Sequence, residues 1–111
     1  MTIFSRIIQR EIPAKVVYED ELCIAIHDIA PQAPVHILVI PKKEIPSMMS
    51  VASEDQNLLG HLMLKASQIA KEQGLQNGYR LAINTGKDGG QTVDHLHIHI
   101  LGKRVMKESM G

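Results

Sequence analysis

His95, His97 and His99 alternate with Leu96, Ile98 and Ile100. That period of two describes a strand with one imidazole face and one aliphatic face. At about 3.3 Å per residue, successive rings on the polar face stand roughly 6.6 Å apart, so one small group can touch two of them. Half of the chain's six histidines lie in this row. A row with no ligand is unfavourable: protonated rings repel one another, and neutral buried rings hide polar nitrogens. Two chemistries suit it. In covalent phosphoryl or nucleotidyl transfer, a neutral imidazole nitrogen attacks phosphorus while nearby donors hold the phosphate oxygens, and a hydroxyl or imidazole protonates the leaving group. In a metal centre, a His-x-His pair presents two nitrogens to one ion and a third ligand comes from His36 or Asp28.

The segment Thr85–Thr92 leads directly into the row and carries Gly86, Gly89 and Gly90. Glycines free a backbone to offer N–H groups to an anion. The segment is not a Walker loop, because the Gly-Lys-[Ser/Thr] ending is absent. Three histidines in one row favour phosphoryl transfer, since a metal site usually takes its remaining ligand from another element, and a glycine-rich donor loop has no task there.

The elements that must position these residues read as α+β. Thr2 caps a short helix to about Arg10, with Ile3, Phe4, Ile7 and Ile8 on one side, ended by Pro13. Val16–Glu19 is predicted as a short strand and Asp20-Glu21 as a turn. Leu22–His27 is a nearly unbroken apolar run, predicted as a central strand covered on both faces, which delivers His27 and Asp28 at its end. Ala30–Pro34 contains two prolines and is an irregular connection. His36–Ile40 is a β-branched strand, followed by Lys42-Lys43, read as a solvated pair. Ser53 and Gln56 form a capping-box signature for the longest helix, to about Gln73, with Gly74 as its stop. Its core stripe is Leu58, Leu59, Leu62, Met63, Ala66, Ile69 and Ala70. Leu64 with Gly60 is either a second face suited to a partner subunit or an ordinary exposed leucine, and His61 falls among surface residues. Tyr79–Asn84 is a further strand. The result is a mainly antiparallel sheet of about five strands with one long and one short helix.

At 111 residues the chain is expected to be one domain, 1–111. Lys plus Arg equals Asp plus Glu, so no basic field draws in nucleic acid or an anionic membrane. Cys23 lies in an apolar run and reads as a small buried hydrophobe. Thr2–Arg10 is amphipathic and charged, unlike a signal peptide, and no apolar run approaches a membrane span. A cytoplasmic location is expected.

His95-x-His97-x-His99 followed by Ile100-Leu101 resembles the histidine triad motif, His-φ-His-φ-His-φ-φ with φ apolar. Thr2-Ile3-Phe4, Arg10-Glu11-Ile12-Pro13-Ala14, His27-Asp28-Ile29, Pro31-Gln32-Ala33-Pro34-Val35-His36 and Gly89-Gly90-Gln91 resemble, in order, the histidine triad nucleotide-binding branch of that superfamily. The resemblance implies a histidine triad (HIT)-like fold and a homodimer that joins two five-stranded sheets. It also implies hydrolysis of purine nucleoside 5′-phosphoramidates, such as AMP–amine conjugates, through a nucleotidyl-histidine intermediate, with no metal or other cofactor.

Carried onto these positions, the resemblance makes His97 the nucleophile, has His99 contact the phosphate, and has His95 orient His97. His36 lies close to the nucleophile. Asp28 binds the ribose hydroxyls, with Ile29 and His27 beside it. Ile3, Phe4, Ile7, Ile12 and Ile26 line the base pocket, and Asn84, Gly90, Gln91 and Thr92 surround the phosphate and leaving group. Thr92 stands where many relatives carry Ser or an acidic residue, Asp94 where an aromatic is common, and Lys103 where glycine is usual. The tail after Gly102 is short. These departures leave the nucleophile in place and bear on leaving-group preference. A dinucleoside polyphosphate hydrolase and a non-catalytic nucleotide-binding regulatory module are the alternative functions.

Overall fold

The computed structural model describes residues 1–111. The chain runs α1 (Ile3–Ile8), β1 (Val16–Glu19), β2 (Cys23–His27), β3 (Val35–Pro41), two 3-10 turns, α2 (Gln56–Glu72), β4 (Tyr79–Ala82) and β5 (Ile98–Gly102). The five strands form one antiparallel sheet in the order β1-β2-β3-β5-β4. The α+β architecture expected from the sequence is therefore present, with β3 at the centre and β2 beside it. No helix is long and apolar enough to cross a membrane.

The sheet separates two apolar clusters by strand parity. Cys23, Ala25, Ile37, Val39, Ile98 and Ile100 face α2, where Leu62, Ala66, Ile69 and Ala70 cover them. Ile24, Ile26, Leu38 and Ile40 face the other way and pack on Phe4 and Ile7 of α1. The α1 helix covers only part of its face, and the uncovered part holds the histidines.

Several local readings change. Thr2 does cap α1, its hydroxyl accepting the Ser5 N–H at 3.1 Å. The helix stops well before Pro13, because Arg10 turns to φ 65° and the Glu11 N–H bonds back to the Arg6 carbonyl. At α2 the N-cap position is Asp55 instead of Ser53, with no side-chain cap bond: Ser53–Asp55 forms a 3-10 turn, and the Asp55 carboxylate accepts the Ala52 N–H at 2.9 Å at the start of that turn. Leu22 lies outside β2, and β4 ends at Ala82, two residues short of Asn84. Met63, at the margin of the apolar arc, is exposed, and so is Leu64.

His61 is not a free surface residue: its Nε2 is 2.7 Å from Oδ2 of Asp20. The same carboxylate accepts the Tyr18 hydroxyl and the Leu22 and Cys23 N–H groups. Although burial opposes it, this set of donors holds the Asp20 carboxyl well below the usual range. Cys23 is fully buried beside it, and burial with the Asp20 charge pushes its thiol up to about 12. The lysine pair is exposed in part but neutralised, Lys42 by Glu19 at 2.8 Å and Lys43 by Asp55 at 2.6 Å.

Candidate functional site

The histidine row keeps its alternation but not its ladder. Leu96, Ile98 and Ile100 all point into the α2-side core, yet β5 begins only at Ile98. Before that point the backbone is held elsewhere: the His95 N–H bonds to the Val93 carbonyl and the Leu96 N–H to the Ile45 carbonyl at 2.7 Å. His95 therefore sits at the end of a bend over residues 93–95, His97 lies on the irregular lead-in that follows, and only His99 lies within the sheet.

Each ring has a distinct environment. His95 is fully buried, and its Nε2–H donates to the Pro41 carbonyl at 2.8 Å. That leaves Nδ1 as an acceptor, 3.4 Å from the Thr2 hydroxyl. His97 donates through Nδ1 to the His95 carbonyl at 2.7 Å, so its proton is on Nδ1 and Nε2 carries a lone pair. Phe4 packs edge-on to this ring, with centroids 4.9 Å apart. His99 lies 4.9 Å, centroid to centroid, from His97.

His36 reaches the row through strand register. It stands opposite Leu101 on β5, which makes His99 its diagonal neighbour on the same face. The contact is direct: Nε2 of His36 is 2.9 Å from Nδ1 of His99. Asp28 follows the end of β2, where its Oδ1 accepts the Ala30 N–H at 2.8 Å and its Oδ2 lies 3.4 Å from His36 Nε2.

These groups border a cleft of about 980 Å³. Its apolar wall includes Ile3, Phe4, Ile7, Ile12, Ile26 and Leu38. His27, Asp28, Ile29, His36, Thr92, His97 and His99 supply the rest of the expected lining. Burial lowers the affinity of His36 and His97 for a proton. Burial, then the neighbouring His97 and His36, pushes His99 down to about 4. The three rings are neutral at neutral pH.

Three expected site residues stand elsewhere. His95 does not line the cleft; it is sealed behind Phe4 and the Pro41 carbonyl. Gly90 and Gln91 also lie outside it, because the loop is closed on itself. The Gly90 N–H bonds to Lys87 and the Gln91 N–H to Gly86. The Gln91 side chain accepts the Gly86 N–H and donates to the Pro46 and Val93 carbonyls. Of that loop, Thr92 and Val93 reach the cleft. Asn84 comes to the site differently, with its amide nitrogen 3.4 Å from His99 Nε2. Leu38 was missed as a wall residue. Its position two residues after His36 on β3 was the available signal.

Asp28, His36 and His99 offer donor atoms within 4.8 Å of one another, as do Asp20, Cys23 and His61. In the first set the two imidazole nitrogens are hydrogen-bonded at 2.9 Å. Two nitrogens bound at about 2.0–2.1 Å to a tetrahedral zinc stand roughly 3.3 Å apart, so a metal there requires that bond to open. In the second set the carboxylate is already saturated by four donors.

A family model described as HIT domain matches residues 9–106. An uncharacterized HIT-like protein of Synechococcus elongatus is 62% identical over 103 residues, which cover 93% of this chain and 90% of that protein. Among solved structures, a HIT family hydrolase of Legionella pneumophila superposes with a TM-score of 0.98 at 45% identity, over the whole of both chains. A histidine triad protein of Clostridium difficile gives a TM-score of 0.93 at 42% identity, covering 96% of this chain and 94% of the other.

Proposed function

The chain belongs to the HIT domain family, and from that membership and the cleft geometry we propose that it is a hydrolase of purine nucleoside 5′-phosphoramidates. One observation carries the reading: the Nδ1–H of His97 is committed to the His95 carbonyl, so its Nε2 lone pair is free beside the cleft. In the proposed reaction Nε2 attacks the α-phosphorus and a P–N bond to His97 forms. The substrate's P–N bond breaks, its electron pair leaving on the amine, which takes up a proton relayed through the Thr92 hydroxyl. Water then attacks the same phosphorus, releases the nucleoside monophosphate and returns the lone pair to His97. His99 donates to a phosphate oxygen, and Asn84 adjoins it. The carboxylate of Asp28 accepts from the ribose hydroxyls, and Phe4, Ile7, Ile12, Ile26 and Leu38 enclose the flat base.

The test is AMP release from adenosine 5′-phosphoramidate with chelator present, by the wild type and by His97→Ala. Chelator-resistant release that falls at least about a thousandfold in the variant is expected. Equal release by both proteins overturns the assignment. Faster turnover of a dinucleoside polyphosphate than of the phosphoramidate moves the substrate to that class.

The working unit in this reading is a homodimer. The outer edge of β4 has no strand partner, and Tyr79, Ile83, Met63 and Leu64 are all exposed. An unpaired edge is a template for a second copy, and exposed apolar side chains suit an interface. Sedimentation at twice the 12.3 kDa chain mass is expected; a monomer at micromolar concentration overturns this part.

A further inference from the structure

The backbone N–H of Gln32 points at Nδ1 of His36, with 2.9 Å between the two nitrogens. A backbone amide can only donate, so His36 Nδ1 is an unprotonated acceptor and the ring's single proton is on Nε2. On that side lie Nδ1 of His99 at 2.9 Å and Oδ2 of Asp28 at 3.4 Å. An ionised carboxylate can only accept, so the nearby Asp28 is compatible with that tautomer without fixing it. His36 therefore donates to His99 Nδ1, and the proton of His99 must occupy its own Nε2. That nitrogen faces Asn84 at 3.4 Å, and a half-turn of the amide lets the Asn84 oxygen accept from it.

We propose that the backbone amide of Gln32 is a positioning group that sets the tautomer of His36 and, through it, that of His99. When nucleotide binds, a phosphate oxygen takes the place of the Asn84 oxygen at that Nε2–H, so His99 presents an N–H, not a lone pair, to the phosphate. The phosphate contact rests on the phosphoramidase reading; the two tautomers do not. The direction of this relay matters because a neutral imidazole has one donor and one acceptor, and the wrong tautomer turns a lone pair towards an anionic oxygen. The donating peptide is fixed from both sides. Pro31 and Pro34 bracket it, Ala33 is buried behind it, and the Gln32 carbonyl accepts from Nε of Arg104 at 3.0 Å. Burial keeps both rings neutral, the state in which a tautomer exists at all. The irregular Pro31–Pro34 connection thus acts at the site with a main-chain atom, through two histidines on neighbouring strands.

Long-range proton–nitrogen correlation spectra of nitrogen-15-labelled wild type near neutral pH read each ring's tautomer directly. Protonated Nε2 is expected at both His36 and His99; a proton on Nδ1 of either overturns the proposal. Gln32→Ala keeps the amide and removes only an exposed side chain, so both signatures are expected to persist. Gln32→Pro removes the N–H, and His99 is expected to lose its single tautomer while kcat falls roughly tenfold or more. A Gln32→Pro protein whose His99 remains purely Nε2-protonated overturns the relay, as does a Gln32→Ala protein that loses it. The wild-type spectrum decides the question even where the proline variant does not fold. If the wild type shows both tautomers yet hydrolyses no phosphoramidate, the substrate reading fails and the relay stands.

Discussion

Nδ1 of His97 lies 2.7 Å from the carbonyl oxygen of the residue two before it, His95. The main chain of one histidine thus sets the tautomer of the next, and the side chain of His95 is not needed for it. The His95 ring has a different task, tying the row to β3 through the Pro41 carbonyl. His95→Ala keeps the carbonyl but loses that buried bond. It is expected to cost about 2–3 kcal/mol of stability and to retain at least roughly tenfold more activity than His97→Ala. Melting curves and phosphoramidate turnover of the two variants check this; equal kinetic loss in both gives the His95 ring a direct role.

The pH dependence follows from the neutral rings. An unfolded imidazole takes up a proton near pH 6.5, whereas folded His99 does so only at about 4. Between those values the unfolded chain binds more protons, so stability falls as the pH falls, and above about 6.5 this dependence disappears. His36 and His97, lowered in the same direction, add to it. In the proposed reaction turnover needs the lone pair of His97, whose proton affinity burial lowers, so the rate is expected to be level above neutrality and to decline only at pH values below the ordinary imidazole range. Urea midpoints and kcat/KM measured from pH 8 to 4.5 test both; a midpoint that rises on acidification contradicts the assignment of buried neutral rings.

Gly89 is predicted to be intolerant of any side chain. A Cβ there would stand 2.3 Å from the Thr85 carbonyl oxygen and 2.8 Å from its nitrogen, both backbone atoms that cannot swing aside. The Gly86–Gln91 loop closes on itself and is pinned by Gln91 to Pro46 and Val93, just before the histidines. Gly89→Ala should cost on the order of 1–3 kcal/mol and lower kcat. Wild-type values of both in the variant would contradict a rigid loop.

Asp20 joins the β1–β2 turn to α2 and lies at the end of β2 opposite Asp28. In Asp20→Asn the amide nitrogen replaces an oxygen that accepts from Tyr18 and His61. A loss of about 1–3 kcal/mol is expected, with kcat at 25 °C close to wild type because the turn is remote from the cleft. A large kcat loss in a folded variant would show coupling between the two ends of the strand.

Legibility followed the range of the interaction. The imidazole–aliphatic alternation of residues 95–100, the apolar run of β2 and the stripe of α2 are local periodicities, and all three appear in the structure, the stripe without the exposed Met63. The ends of elements were less legible. Helix α1 closes through the left-handed Arg10, and α2 begins after a 3-10 turn with Asp55 at its N-cap position, each a choice among several competent neighbours. The loop glycines suggested N–H groups offered to an anion, whereas the Gly90 and Gln91 amides are consumed within the turn.

By itself the sequence determined that three histidines alternate with aliphatic residues, that the chain belongs to an α+β class, and that it carries the motif of the histidine triad family. The tertiary structure alone decided how those rings are wired. It placed His36 diagonal to His99 through the β3–β5 register, aimed the Gln32 amide at His36, and set the His95 ring behind the cleft instead of in it. Periodicity is written within a few residues and survives in any fold that buries one face. Tautomers depend on which donor arrives from 63 residues away, and only strand pairing and loop closure bring that donor into reach.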